Sequence, residues 1–206
     1  MAIIGRSKKL VGSLILAIFA CLLYGNTLKN GFVWDDTMQL PTESSTAPSV
    51  KEIFFERSWM VLNTDVATRQ LKESGVPRPE EVSTYRPLLL VSFLLDHKLG
   101  KGDPFPYHAS NLLLFIFLLI ALFHLACELA IPYKPALFSL LFWASHPLLN
   151  ESVAWVSGRH DTMMFLFLSL GLIAALRIKH NSKSRSFFYI AAATIFYGCA
   201  LLSKEP

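Results

Sequence analysis

Two adjacent carboxylates, Asp35 and Asp36, end the string Asn30-Gly31-Phe32-Val33-Trp34-Asp35-Asp36, just beyond the first long apolar run of the chain. An acidic pair at the mouth of a membrane helix, beside an aromatic residue suited to the interface, is costly to desolvate, so its presence there points to a task. One such task is to take a proton from a poor nucleophile such as a hydroxyl. The plainer reading, flanking charges or an N-cap for the next segment, fits the same residues equally well. Five more short motifs follow in order: Tyr85-Arg86-Pro87-Leu88, Tyr107-His108 with Asn111, His146-Pro147 with Glu151, Gly158-Arg159-His160-Asp161, and Ser203-Lys204-Glu205.

The elements that must position these groups are membrane helices. With 53% hydrophobic and only 17% charged residues, and a mean hydropathy of +0.44, the chain is too apolar for an ordinary soluble domain. The net charge of +4 comes from basic residues at helix ends, which argues for membrane topology and against a nucleic-acid partner. A hydrocarbon core of roughly 30 Å needs about 20 apolar helical residues. Five runs approach that, at 10–28, 108–130, 135–149, 162–176 and 187–202, the last three short enough to need an extra turn from their polar flanks or little tilt. The sequence therefore predicts an all-α polytopic membrane protein. Its first run reads as an uncleaved anchor, because no small-x-small cleavage site follows it. Cys21, Cys127 and Cys199 lie within apolar runs and read as small buried hydrophobes.

Two basic clusters, Arg6-Lys8-Lys9 and Arg177-Lys179-Lys183-Arg185, fall on one side of a five-span topology, and Lys134 agrees. The positive-inside rule makes that side cytoplasmic, with Asp35, Asp36, Glu151, Arg159, Asp161, Lys204 and Glu205 on the outward face. The loop over 29–107 is too long for a simple connector. Within it, 51–62 suits a short amphipathic helix, and the apolar segment from Arg86 to Leu95, too short to span, suits an interfacial helix on the outer leaflet. His124 and Glu128, one turn apart, read as a local polar pair.

Taken in order, the six motifs resemble the N-terminal membrane part of the transmembrane and tetratricopeptide-repeat O-mannosyltransferases and their bacterial relatives. That family is similar to the GT-C glycosyltransferases, polytopic enzymes that move a sugar from a polyprenyl-phosphate carrier to an acceptor outside the cytoplasm. The resemblance implies transfer of a hexose, mannose by preference, to protein or peptide hydroxyls. It places the chain in a bacterial inner membrane or the endoplasmic reticulum membrane, its active face periplasmic or lumenal, with membrane lipid and the polyprenyl-phosphate donor as partners. This chain departs from the family pattern at Leu149 and Phe115, where histidines are common, and ends at Pro206, where the family continues; it reads as an N-terminal fragment, inactive alone.

By the same resemblance Asp35 or Asp36 is the catalytic base, and Arg86, Arg159 and Lys204 stabilise the departing phosphate. Glu151 and Asp161 suit a divalent cation, Mg or Mn, through hard oxygen ligands, and His146, His108 and Glu205 line the site. Each role has a bland competitor. Arg86 before Pro87 suits interfacial snorkelling as well as phosphate binding. His108 and Asn111, at i and i+3, favour structural hydrogen bonding. His146 with Pro147 marks a helix end. A non-catalytic membrane protein that binds lipid phosphate or a partner is the alternative for the whole chain.

Overall fold

The computed structural model describes residues 5–34, 36–40, 49–55, 85–178 and 183–204. Nine α-helices occur among them: α1 (Arg6–Tyr24), α2 (Asp36–Gln39), α3 (Val50–Phe55), α4 (Pro87–Gly100), α5 (Pro104–Glu128), α6 (Tyr133–Ala144), α7 (Leu149–Ala154), α8 (Arg159–Ile178) and α9 (Lys183–Ser203). Four stretches are long and apolar enough to cross a bilayer: Arg6–Lys29, where a 3-10 turn over Gly25–Lys29 lengthens α1, then Pro104–Glu128, Arg159–Ile178 and Arg185–Ser203. The protein is an all-helical, integral multi-pass membrane protein.

The run expected at 135–149 behaves differently. Helix α6 has 12 residues, about 18 Å at 1.5 Å per residue, and stops at Ala144. Ser145 turns its hydroxyl back onto the Phe142 carbonyl, and Pro147 follows with no N–H to offer. The apolar count across Leu148 and Leu149 concealed that break. Even so, α6 runs alongside α1 from end to end of the contact: Tyr133 sits by Gly12, and the Tyr24 hydroxyl donates to the Ala144 carbonyl at 2.9 Å.

Lipid tails are as apolar as leucine, so membrane helices associate by close packing and not by escape from water. Small residues allow it here. A Cβ on Gly12 would come within 2.5 Å of the Phe123 ring, and one on Gly171 would meet the Ala193 carbonyl and Phe196 at 3.6 Å. A first core, with Leu16, Ala20, Phe115, Leu119 and Phe123, fills the space between α1, α5 and α6. A second, built from Leu40, Ile53, Leu89, Phe93, Tyr107 and Val156, seats α3 and the loop around α2 on α4 and the start of α5.

Helix α4 is the segment expected to lie on the leaflet surface. On one face Leu89, Leu90, Phe93, Leu94 and Asp96 are buried as the helix packs against α3, α5, α8 and α9, while Leu95 and Leu99 on the other are exposed. Its tight join to α5 uses Lys101 and Gly102 at positive φ (50° and 99°), then Asp103, which caps α5 by accepting from Phe105 N–H at 2.8 Å. Helix α3 covers the first half of the amphipathic segment expected at 51–62; the remainder lies outside the described residues.

Candidate active site

Asp36 is fully buried, and its carboxylate makes three hydrogen bonds. Oδ2 accepts from Val33 N–H at 3.2 Å, closing the turn that ends the Trp-Asp-Asp string; Oδ1 accepts from the backbone N–H and the hydroxyl of Ser157 at 2.9 and 2.6 Å. Charge-assisted bonds of this kind stabilise an ionised carboxylate in a dry place. They also commit it. Trp34 takes a positive φ of 50°, a costly conformation for a bulky residue, so that the chain can turn back on Asp36. Asp35, between the two, lies outside the described residues.

Ser157 reaches Asp36 because Gly158 lets the loop fold tightly: a Cβ there would overlap the Glu151 carbonyl. Arg159 then enters the protein completely. Its Nη2 pairs with Asp96 at 2.6 Å and donates to the Tyr107 carbonyl at 2.8 Å, Nη1 donates to Ser92 at 2.9 Å, and Nε donates to the Asn111 amide oxygen. Phe93 covers the guanidinium at 4.8 Å. Asn111 in turn donates to the carbonyls of Val153 and Trp155, and Ser110 donates to Asp96. One arginine thus binds α4, α5 and the 153–159 loop together.

On the other side of Ser157, its carbonyl accepts from His160 Nδ1 at 2.8 Å. His160 Nε2 stands 3.5 Å from Asp161, whose carboxylate pairs with Lys204 Nζ at the end of α9. Arg86, at the start of α4, is near enough to act on the charge of His160. Hydrogen bonds therefore lead from Asp36 through Ser157 to His160, and the Asp161–Lys204 ion pair stands next to that ring.

The remaining expected residues are dispersed around this centre. His108 is buried, with the Gly31 backbone and Asp36 nearby. His146 is exposed and accepts from Leu148 N–H within its own turn. Glu151 is exposed in a groove of about 580 Å³ with Asn30, Trp34, Asn150 and Trp155. Glu205 lies outside the described residues. No group of three or more His, Cys, Asp or Glu suited to a metal ion occurs among the described residues, and Asp161 is engaged by Lys204.

At 95% coverage of this chain, the sequence is 32% identical over 209 residues to the protein O-mannosyl-transferase tmtc2 of Xenopus laevis, and 30% identical over 204 residues to TMTC2 of Homo sapiens. The human protein O-mannosyl-transferase TMTC3 is 29% identical over 192 residues. Over nearly all of its length the chain is therefore similar to proteins named protein O-mannosyl-transferases. It spans 22% of the length of the two TMTC2 proteins and 19% of TMTC3. No family profile and no solved structure matches it.

Sequence reasoning in this family setting missed Asp96, Ser92 and Ser157, which hold the motif residues in place. Asp96 carried a signal, a carboxylate closing an apolar segment, but it resembled a solvated helix flank. Ser157 carried none: its importance comes from a contact with Asp36 made across the fold.

Proposed function

We propose that this chain forms the acidic end of a glycosyltransferase that moves a hexose, mannose by preference, from a polyprenyl-phosphate donor to protein hydroxyls. The observation that carries the reading is the buried run of hydrogen bonds from Asp36 through Ser157 to His160, with the Asp161–Lys204 pair beside it, in a membrane protein whose relatives are named protein O-mannosyl-transferases. A transfer of this type needs a carboxylate to accept the hydroxyl proton and cations to receive the charge of the departing phosphate.

Asp36, with three hydrogen bonds inside the protein, is committed to holding the turn, which supports Asp35 as the general base of the proposed reaction. Arg86 and Lys204 face the phosphate, Lys204 exchanging Asp161 for it, while Arg159 is the frame. The Asp35 end faces away from the cytoplasm, because Arg6, Lys8 and Lys9 mark the other end of α1.

The test is transfer from a mannosyl polyprenyl phosphate to a Ser/Thr peptide by purified protein in lipid nanodiscs, with the full-length form as reference. Removing a general base costs about two to four powers of ten in rate, so Asp35→Asn nearly abolishes transfer while membrane insertion is unchanged. Wild-type turnover in Asp35→Asn rejects the mechanism.

A further inference from the structure

The groove beside the acidic turn contains groups the transfer mechanism leaves unused. Its walls are apolar, including Val33 and Leu148, and two indoles, Trp34 and Trp155, meet edge to face at 6.0 Å and 74°. Among the walls stand the exposed amides of Asn30 and Asn150 and the carboxylate of Glu151. Trp34 is 77% exposed and held at positive φ by the same turn that Asp36 closes. An exposed tryptophan on a strained backbone is a poor outcome for folding alone and a common one at binding sites.

We propose that this groove takes an extended polypeptide carrying the acceptor hydroxyl, and that Glu151 favours acceptors with a basic residue nearby. The proposal rests on the transferase reading above and names its acceptor subsite. Three features select this occupant. The volume of about 580 Å³ lies within the ~300–1,000 Å³ typical of sites for drug-sized ligands, more room than one hexose needs. Two carboxamides can each give an N–H and accept one, which matches the repeating donors and acceptors of a peptide backbone. Among the described residues that line the groove, the one charged side chain is Glu151, whose negative charge repels a lipid phosphate and attracts lysine or arginine.

Position agrees. A single displacement at an anomeric carbon brings nucleophile and leaving group in from opposite faces of the sugar. Val33 lines the groove and donates to Asp36; Asp36 leads through Ser157 to His160 and on to Lys204. The groove and the cations thus stand at the two ends of one chain of contacts, with the acidic turn joining them.

The experiment is binding of fluorescent Ser/Thr peptides to the protein in nanodiscs, read by anisotropy, with lysine or glutamate flanking the hydroxyl. An exposed ion pair contributes up to about 1 kcal/mol, so the lysine peptide binds up to about fivefold more tightly. Glu151→Gln removes that preference and Glu151→Lys reverses it. Trp34→Ala weakens both peptides about tenfold or more, and its exposure leaves the fold intact. No peptide binding, or wild-type affinity and preference in both Trp34→Ala and Glu151→Lys, overturns the proposal. Loss of mannosyl-phosphate binding in Trp34→Ala with peptide binding unchanged gives the groove to the donor sugar and overturns it too. Transfer that depends on Asp35 but is indifferent to Trp34 and Glu151 rejects the groove alone; charge-selective peptide binding without sugar transfer rejects the transferase reading alone.

Discussion

A guanidinium that has given four donor contacts to groups inside the protein has little left for a phosphate without breaking what it holds. The family resemblance pointed to Arg159 as a phosphate ligand because arginine beside a carboxylate in an outward loop suits that role. The fold instead closes Asp96, Asn111 and Phe93 around it and leaves it no solvent exposure. Breaking a buried pair by removing one partner strands the other charge, at a cost of about 3–5 kcal/mol. Arg159→Ala is therefore expected to lower thermal stability in detergent steeply, and Arg159→Lys to rescue little, since an ammonium cannot reach four separated acceptors in one plane. Combining Arg159→Ala with Asp96→Ala should cost less than the sum of the single changes, because no charge is left stranded. Additive losses would show that the two side chains are not coupled.

Among the elements, the long helices were legible because hydropathy and length suffice for them: α8 encloses its expected apolar run, and α5 starts four residues before its run, at Pro104, and stops two residues short of its end, at Glu128. Two elements were not legible, for different reasons. Helix α6 breaks at Ser145 through a side-chain hydrogen bond, which a hydropathy count does not register. Helix α4 read as interfacial because it is short, and nothing in its sequence showed that its one acid, Asp96, would be buried with Arg159 and Ser110 as partners. The pair His124 and Glu128 shows the same limit: each turns to another helix, His124 to Ser13 and Glu128 to Arg177 at 2.6 Å. The close approach of α1 to Phe123 and Tyr133 gives an element-scale prediction. Gly12→Leu overpacks that contact and destabilises by about 1–3 kcal/mol. Gly198→Ala on α9, where a Cβ meets nothing within 4 Å, leaves stability unchanged or raises it by up to about 1 kcal/mol. Thermal unfolding of both variants in the same detergent separates packing from helix propensity; equal behaviour would contradict the contact.

At the scale of the whole molecule the two ends of the bundle carry different chemistry. Lys9 acts on His124 near the Arg177–Glu128 pair at one end, while Asp36, Ser157, His160, Asp161 and Lys204 occupy the other. Basic residues translocate poorly, so the positive-inside rule predicts that the end carrying Arg6, Lys8, Lys9, Lys134 and Arg177 is cytoplasmic. On that expectation the candidate site opens on the far face, the side from which the proposed acceptor would arrive. The test uses a chain with Cys21, Cys127 and Cys199 replaced by alanine and one new cysteine at Trp34 or Lys183, exposed to a membrane-impermeant maleimide in sealed vesicles of known sidedness. Position 34 is expected to label only from the non-cytoplasmic side, and position 183 only from the cytoplasmic side. Labelling of both from the same side would contradict the helix directions, since α8 and α9 carry the chain away from the Asp36 end and back to Lys204. The reverse pattern at both positions would preserve the bundle but turn the acidic end towards the cytoplasm, and with it remove the physical reason for assigning the site to an outward acceptor.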